Sequence, residues 1–399
     1  MLSDFPQELI ERFIEEIGPD ASALRSCALV CRAFAASSQR LIFSELVIAI
    51  TPETCNVERL LDVLLHSPHL AAYVHTLKIV VIFNQQNRHE PILWSPAVAP
   101  ILDLLRHVKS FTLRFPERRT QTDWGSIPKE LKAAICGLCH QSRLESLHLI
   151  GLGFVPDPAE FAQLVTSSAL KELSFIGVTI PPSSEHRPET KGLTTCYLEL
   201  GLSPLDFVAI WGDSLSSVRN LRLMWPQDIE SSRSPQTLLN AVSPSLEDLH
   251  LDYYRPFSQG SSNAVSLANS TKLRRLVLRV HINGPFITRF ELYNSVRGWE
   301  DLLQSACSPA LSTVVITIIV DFFDDITTPQ PIIPWPLLDE LLAGPRFPSL
   351  GNVEFQVKLQ PYPGVLGPQY SLQQTQFVEV LRAELPRTRA RGIFQCNEI

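Results

Sequence analysis

Two short segments hold residues whose types and spacing could support chemistry. Gly212-Asp213-Ser214-Leu215 presents a serine hydroxyl in a small, turn-prone block. A nucleophilic serine needs a base within hydrogen-bond reach and a third group that orients that base. Cys136-Gly137-Leu138-Cys139-His140 has the two thiols and the imidazole of a covalent haem attachment, or half the ligands of a zinc site. Zinc asks for four ligands, and the chain has no second Cys-x-x-Cys. Covalent haem usually takes a second axial ligand, and the only methionines are Met1 and Met224. No phosphate-cradling glycine loop, dinucleotide glycine pattern or HExxH is present.

Both motifs read better as structure. One esterase family places the serine block near the N-terminus and an Asp-x-x-His near the C-terminus. Here the block is in mid-chain and no Asp-x-x-His occurs. Ser214 is therefore the one residue on which a hydrolase reading rests, and the expectation is that the chain is no enzyme. Cys136 and Cys139 close an apolar helical pattern and are expected to be buried structural thiols. The residues call for no cofactor and no metal.

The elements around these motifs follow a short period. The pattern apolar-x-x-apolar-x-apolar starts at Val74, Val108, Leu144, Leu170, Leu193, Val218, Leu246, Leu273, Leu311 and Leu350, with Phe43-Leu46-Ile48 as a degenerate copy. Successive starts from Val74 onward lie 23 to 39 residues apart. Alternation such as Leu147-His148-Leu149 is the two-residue period of a strand with one buried face. Helical patterns fill the intervals at 51–67, 96–106, 128–140, 157–166, 235–242, 298–306 and 335–343. Residues 84–96, 255–271 and 321–336 are polar, Ser-rich or Pro-rich insertions, loop-like by composition. The period resembles leucine-rich repeats, in which one strand and one helix stack per unit. The Asn or Cys that usually follows the strand is missing from most copies. The fold class implied is α/β: a solenoid with a curved parallel sheet over residues 49–370, then a capping helix and tail over 371–399. Arg382, Arg387, Arg389 and Arg391 fall in that last segment and are expected to be solvated.

The first 48 residues differ. Asp4 can cap a helix, with Gln7 at the reciprocal box position and Pro6 in the first turn. Leu9, Ile10, Phe13, Ile14 and Ile17 recur at helical spacing as one wide apolar face. Gly18-Pro19 stops this helix and Asp20 caps a second. Leu24, Cys27, Ala28 and Leu29 continue the second, and Ala33 to Ile42 suggest a third. So short a bundle cannot bury all this apolar surface by itself. Phe5-Pro6-Gln7-Glu8-Leu9 and Leu29-Val30-Cys31-Arg32-Ala33-Phe34 resemble the two signature segments of the F-box in order, spacing and residue type. Phe5 stands where leucine is commoner, and the resemblance covers about one eighth of the chain.

The resemblance implies a substrate receptor of a Skp–cullin–F-box ubiquitin ligase. Pro6, Leu9, Ile10, Leu29, Val30 and Leu41 would contact the Skp-type adaptor and, through it, a cullin. Protein cargo would bind the repeat array. There, the residue between the last two apolar positions of each copy points away from the core, and the central ones include Tyr197, Arg222 and His250. Met224 stands one row further on, and Trp225 and Tyr253-Tyr254 follow at the strand ends. This mixture suits protein recognition. A leucine-rich scaffold outside ubiquitin transfer is the alternative. With 34 basic against 41 acidic side chains, net −7, no nucleic-acid partner is expected. No apolar run reaches 18 residues and no signal peptide opens the chain, so no membrane partner is expected either. Eight cysteines without a framework spacing suit the reducing cytoplasm or nucleus.

Overall fold

The structure is a computed structural model describing residues 6–18, 20–51, 56–82, 94–115, 124–141, 143–154, 164–165, 167–179, 192–199, 207–208, 211–225, 235–253, 265–282, 289–320, 335–359 and 369–398. The chain divides into two compact units, residues 1–192 and 193–399. Asp4, Phe5 and Tyr254 lie outside the described residues, as do nearly all of the helix expected at 157–166 and most of the three expected insertions.

The first unit opens with three helices, α1 (Gln7–Ile17), α2 (Ala21–Ala28) and α3 (Arg32–Ile42). Gly18, at φ +67°, takes the left-handed conformation that ends α1. Asp20 then accepts the amides of Ser22 and Ala23 and starts α2. Ile10, Ile14 and Leu24 form the buried centre of this bundle, with Ile17, Cys27, Phe34, Leu41 and Ile42 packed around them. α3 runs almost directly into β1 (Glu45–Ile50). There follow α4 (Asn56–His66), α5 (Pro68–Ala71), β2 (Thr76–Val81), α6 (Val98–Leu104), β3 (Ser110–Arg114), α7 (Lys129–Cys139), β4 (Ser146–Phe154) and β5 (Glu172–Thr179). β1 to β5 pair in chain order, all parallel.

The second unit contains β6 (Thr195–Glu199), β7 (Asn220–Trp225), α8 (Gln236–Val242), β8 (Asp248–Tyr253), β9 (Arg275–Ile282), α9 (Arg289–Ser305), β10 (Thr313–Val320), α10 (Trp335–Ala343), β11 (Asn352–Leu359), α11 (Gln369–Glu384), α12 (Pro386–Ala390) and β12 (Phe394–Glu398). Its seven strands are again parallel and in chain order. The apolar period explains the strands of both units. The paired inward positions, such as Leu147 with Leu149 and Val353 with Phe355, are fully buried. Parallel strands need crossovers, and the helices that supply them cover the inward face.

Every start of the sequence pattern, including the degenerate copy at Phe43, leads into one of β1 to β11 in the expected register. Three elements differ from expectation. α9 begins at Arg289 rather than near Gly298, which sits inside the helix. The C-terminal tail forms α12 and β12, and β12 pairs with β11. Arg391 holds the place that an apolar residue fills in the other copies. Its guanidinium donates to the carbonyls of Leu342 and Phe347 while the residue remains exposed to solvent. Asp339, buried in α10, ties down the same segment by accepting the amides of Arg387 and Thr388 and the Thr388 hydroxyl.

Serine hydroxyls supply a connection between neighbouring repeats that the missing Asn or Cys would otherwise suggest. Ser167 Oγ donates to the Leu144 carbonyl at 2.9 Å, and Ser217, Ser245 and Ser308 donate at 2.7 Å to those of Leu193, Val218 and Leu273. Each acceptor is the leading apolar residue of the preceding copy, so each hydroxyl satisfies a carbonyl that the turn into the strand leaves over.

Candidate functional site: an apolar helical surface and a charged sheet face

Helical spacing splits the wide apolar face of α1 in two. Ile10 and Ile14 point into the bundle at 3% and 1% exposure, while Leu9 and Phe13, one turn apart, stand 51% and 55% exposed. Phe13 meets Phe34 edge-on, ring centroids 6.0 Å apart, which joins this pair to the first turn of α3. Leu29 and Val30, in the turn between α2 and α3, are 88% and 56% exposed. Pro6 is exposed as well, and Leu41 is half-buried against the core. Of the six residues expected at an adaptor contact, Ile10 is the correction: it belongs to the bundle's own core, because it is the side chain on which Ile14 and Leu24 close. Phe13 was not singled out, although its place four residues after Leu9 is a signal for it. Gln7 donates to Ser37 Oγ and Glu11 Oε1, and Arg40 pairs with Glu11 at 2.9 Å, so polar contacts set α1 against α3.

The second site lies on the outward face of β6 to β9. Register brings Tyr197, Arg222 and His250 side by side in one row, and Met224 beside Asp252 in the next. The Arg222 guanidinium lies over the Tyr197 ring at 4.6 Å and gives two N–H bonds, from Nε (3.0 Å) and Nη2 (2.7 Å), to Asp252 Oδ2. Asp252 is buried, and Arg279 approaches its other oxygen at 3.8 Å without bonding it. One row earlier, His250 Nε2 lies 3.0 Å from Asp248 Oδ1, and Arg275 Nη1 reaches Asp248 Oδ2 at 3.4 Å. Burial works to raise the Asp248 carboxyl, but the hydrogen bond and charge of His250 and Arg275 outweigh it and hold the group below its usual value. The sequence reading chose Tyr197, Arg222, Met224 and His250 as cargo candidates and did not choose the acidic residues that orient them. Asp248 and Asp252 lie two residues either side of His250, on the same face of the same strand, and that spacing is the signal. The face is a preorganised plane of guanidinium and phenol, a hot-spot composition for protein contacts. Trp225 and Tyr253 end their strands in register.

The other motifs fall elsewhere. Cys136 and Cys139 are buried in α7, and burial pushes the Cys139 thiol well above its ordinary value, which keeps it protonated and inert. Ser214 lies in a short 3-10 turn, Gly212–Ser217, half-buried, its carbonyl taken by the Ser217 hydroxyl. Among the described residues no group of three or more His, Cys, Asp and Glu could hold a metal ion, and no helix is long and apolar enough to cross a membrane. No known family model matches the chain, and no curated protein matches it.

Proposed function

We propose that this chain is the substrate-recognition subunit of a Skp–cullin–F-box E3 ubiquitin ligase. The three-helix bundle docks the adaptor, and the outward sheet face of the second unit takes protein cargo. The observation that carries the reading is the exposure of Leu9, Phe13, Leu29 and Val30 on a bundle whose fully buried centre is three residues. So much apolar surface on so small a module fits a surface made to be covered. The proposed contact set is Pro6, Leu9, Phe13, Leu29 and Val30, with Leu41 bracing it from within. Ubiquitin transfer belongs to the partners; this chain supplies two binding surfaces on stacked repeats.

Co-purification of the full chain with a Skp-type adaptor tests the reading. A stable complex that recruits a cullin is expected. Leu9→Asp should abolish it while the melting temperature stays put, because the new carboxylate is solvated in the free chain and costs several kcal/mol only when an apolar partner covers it. A folded chain that ignores the adaptor sinks the proposal. Adaptor binding without cullin recruitment leaves the leucine-rich scaffold.

A further inference from the structure

α6 and α7 pack against each other in the first unit, and near their C-terminal ends lies an open cavity of about 390 Å³. Its floor is apolar, made by the buried Leu102 and Leu138. Gly137 forms part of the wall, and its place in the helix is otherwise unexplained: its φ is not left-handed, and an added Cβ would meet no described atom within 4 Å. Glycine weakens a helix interior relative to alanine, and no described residue occupies the space above Gly137.

Polar groups converge on this space. Arg143 is held by His107, Nη1 to Nδ1 at 2.5 Å, and turns its guanidinium to the cavity rim. Arg106 and Asp103 line the cavity, and neither has a side-chain partner among the described residues. An apolar floor with a few convergent polar groups, in a volume of this order, is the usual form of a small-molecule site.

The charges narrow the ligand. Two arginines favour an anionic group. The site also sits at two helix C-termini, whose partial negative charge opposes a bare anion, and Asp103 asks for a donor. We infer that the cavity binds a small organic anion carrying an N–H or O–H donor of its own. The anionic group lies on Arg106 and Arg143, and the donor lies on Asp103. An amino acid and a sugar phosphate share this chemistry. The site is independent of the adaptor surface and stands or falls apart from it.

Calorimetry on the full chain with L-glutamate, glucose 6-phosphate and inorganic phosphate tests it. One of the two organic anions should bind with a Kd of about 1 mM or tighter and roughly tenfold more tightly than phosphate; which one it is names the source. Gly137→Leu, which fills the empty space with a good helix former, should weaken that binding about tenfold or more with the circular dichroism unchanged. Arg106→Gln, an exposed change, should do the same and serves if the leucine variant misfolds. Binding of neither organic anion, equal binding of inorganic phosphate, or full binding by folded Gly137→Leu overturns the inference.

Discussion

Leu29 stands 88% exposed in the helical bundle, while Leu147 in β4 is fully buried. Both belong to apolar-rich segments of the same unit, and the difference lies in what each segment has for neighbours. An inward side chain of a middle strand is flanked by equivalent positions of the repeats before and after it and covered by the crossover helices. The bundle has three helices of 8 to 11 residues and only one shared interior. Once Ile10, Ile14 and Leu24 occupy it, further apolar residues must point outward. The inward rows of the strands are therefore core, whereas the bundle leaves part of its apolar content on the surface.

Substitutions can break or sharpen this contrast. The largest loss is expected in the array, from Phe355→Ala. That ring is fully buried and touches Trp335 edge-on and Phe394, at centroid distances of 6.3 and 5.7 Å. Its removal should cost about 3–5 kcal/mol in denaturant titration. Next comes Ile14→Ala in the bundle, at about 2–5 kcal/mol. Because the bundle is small, that loss should appear as local opening, read as faster amide exchange across α1 to α3 with the array still protected. The smallest effect on the free chain is Leu29→Ser, within about 0.5 kcal/mol. If instead it destabilises the chain as much as Ile14→Ala does, Leu29 is covered within the folded protein and the contrast fails.

Legibility followed the same division. Strand positions were readable because a two-residue alternation inside a recurring frame repeats the same information many times. β12 escaped because Arg391 fills the leading apolar place and satisfies two carbonyls where other copies bury a hydrocarbon. The start of α9 escaped because Gly298 suggested a boundary, although Leu292, Val296, Trp299 and Leu303 keep helical spacing across it. In the bundle, helical spacing gave the apolar positions but not the inward half, so Ile10 was assigned to a surface. On the sheet face, Arg222 and His250 were found from register alone. The carboxylates Asp248 and Asp252 were not singled out, because which of them meets Arg222 or Arg275 on the neighbouring strand depends on which rows adjoin, and that is a property of the assembled sheet.

The serine tethers carry a consequence for how such a chain can change over time. Ser167, Ser217, Ser245 and Ser308 each attach their own repeat to the carbonyl that opens the one before. Alignment between neighbours is thus fixed at the entrance to β5, β7, β8 and β10, before the crossover layer begins. Whatever lies between one strand's end and the next tether can lengthen with only a slow rise in closure entropy, as intervals of 23 to 39 residues in one chain illustrate. Insertions can therefore accumulate in the crossovers while the outward rows keep their order, leaving the outward sheet face constant in geometry and the rest of each repeat open to drift.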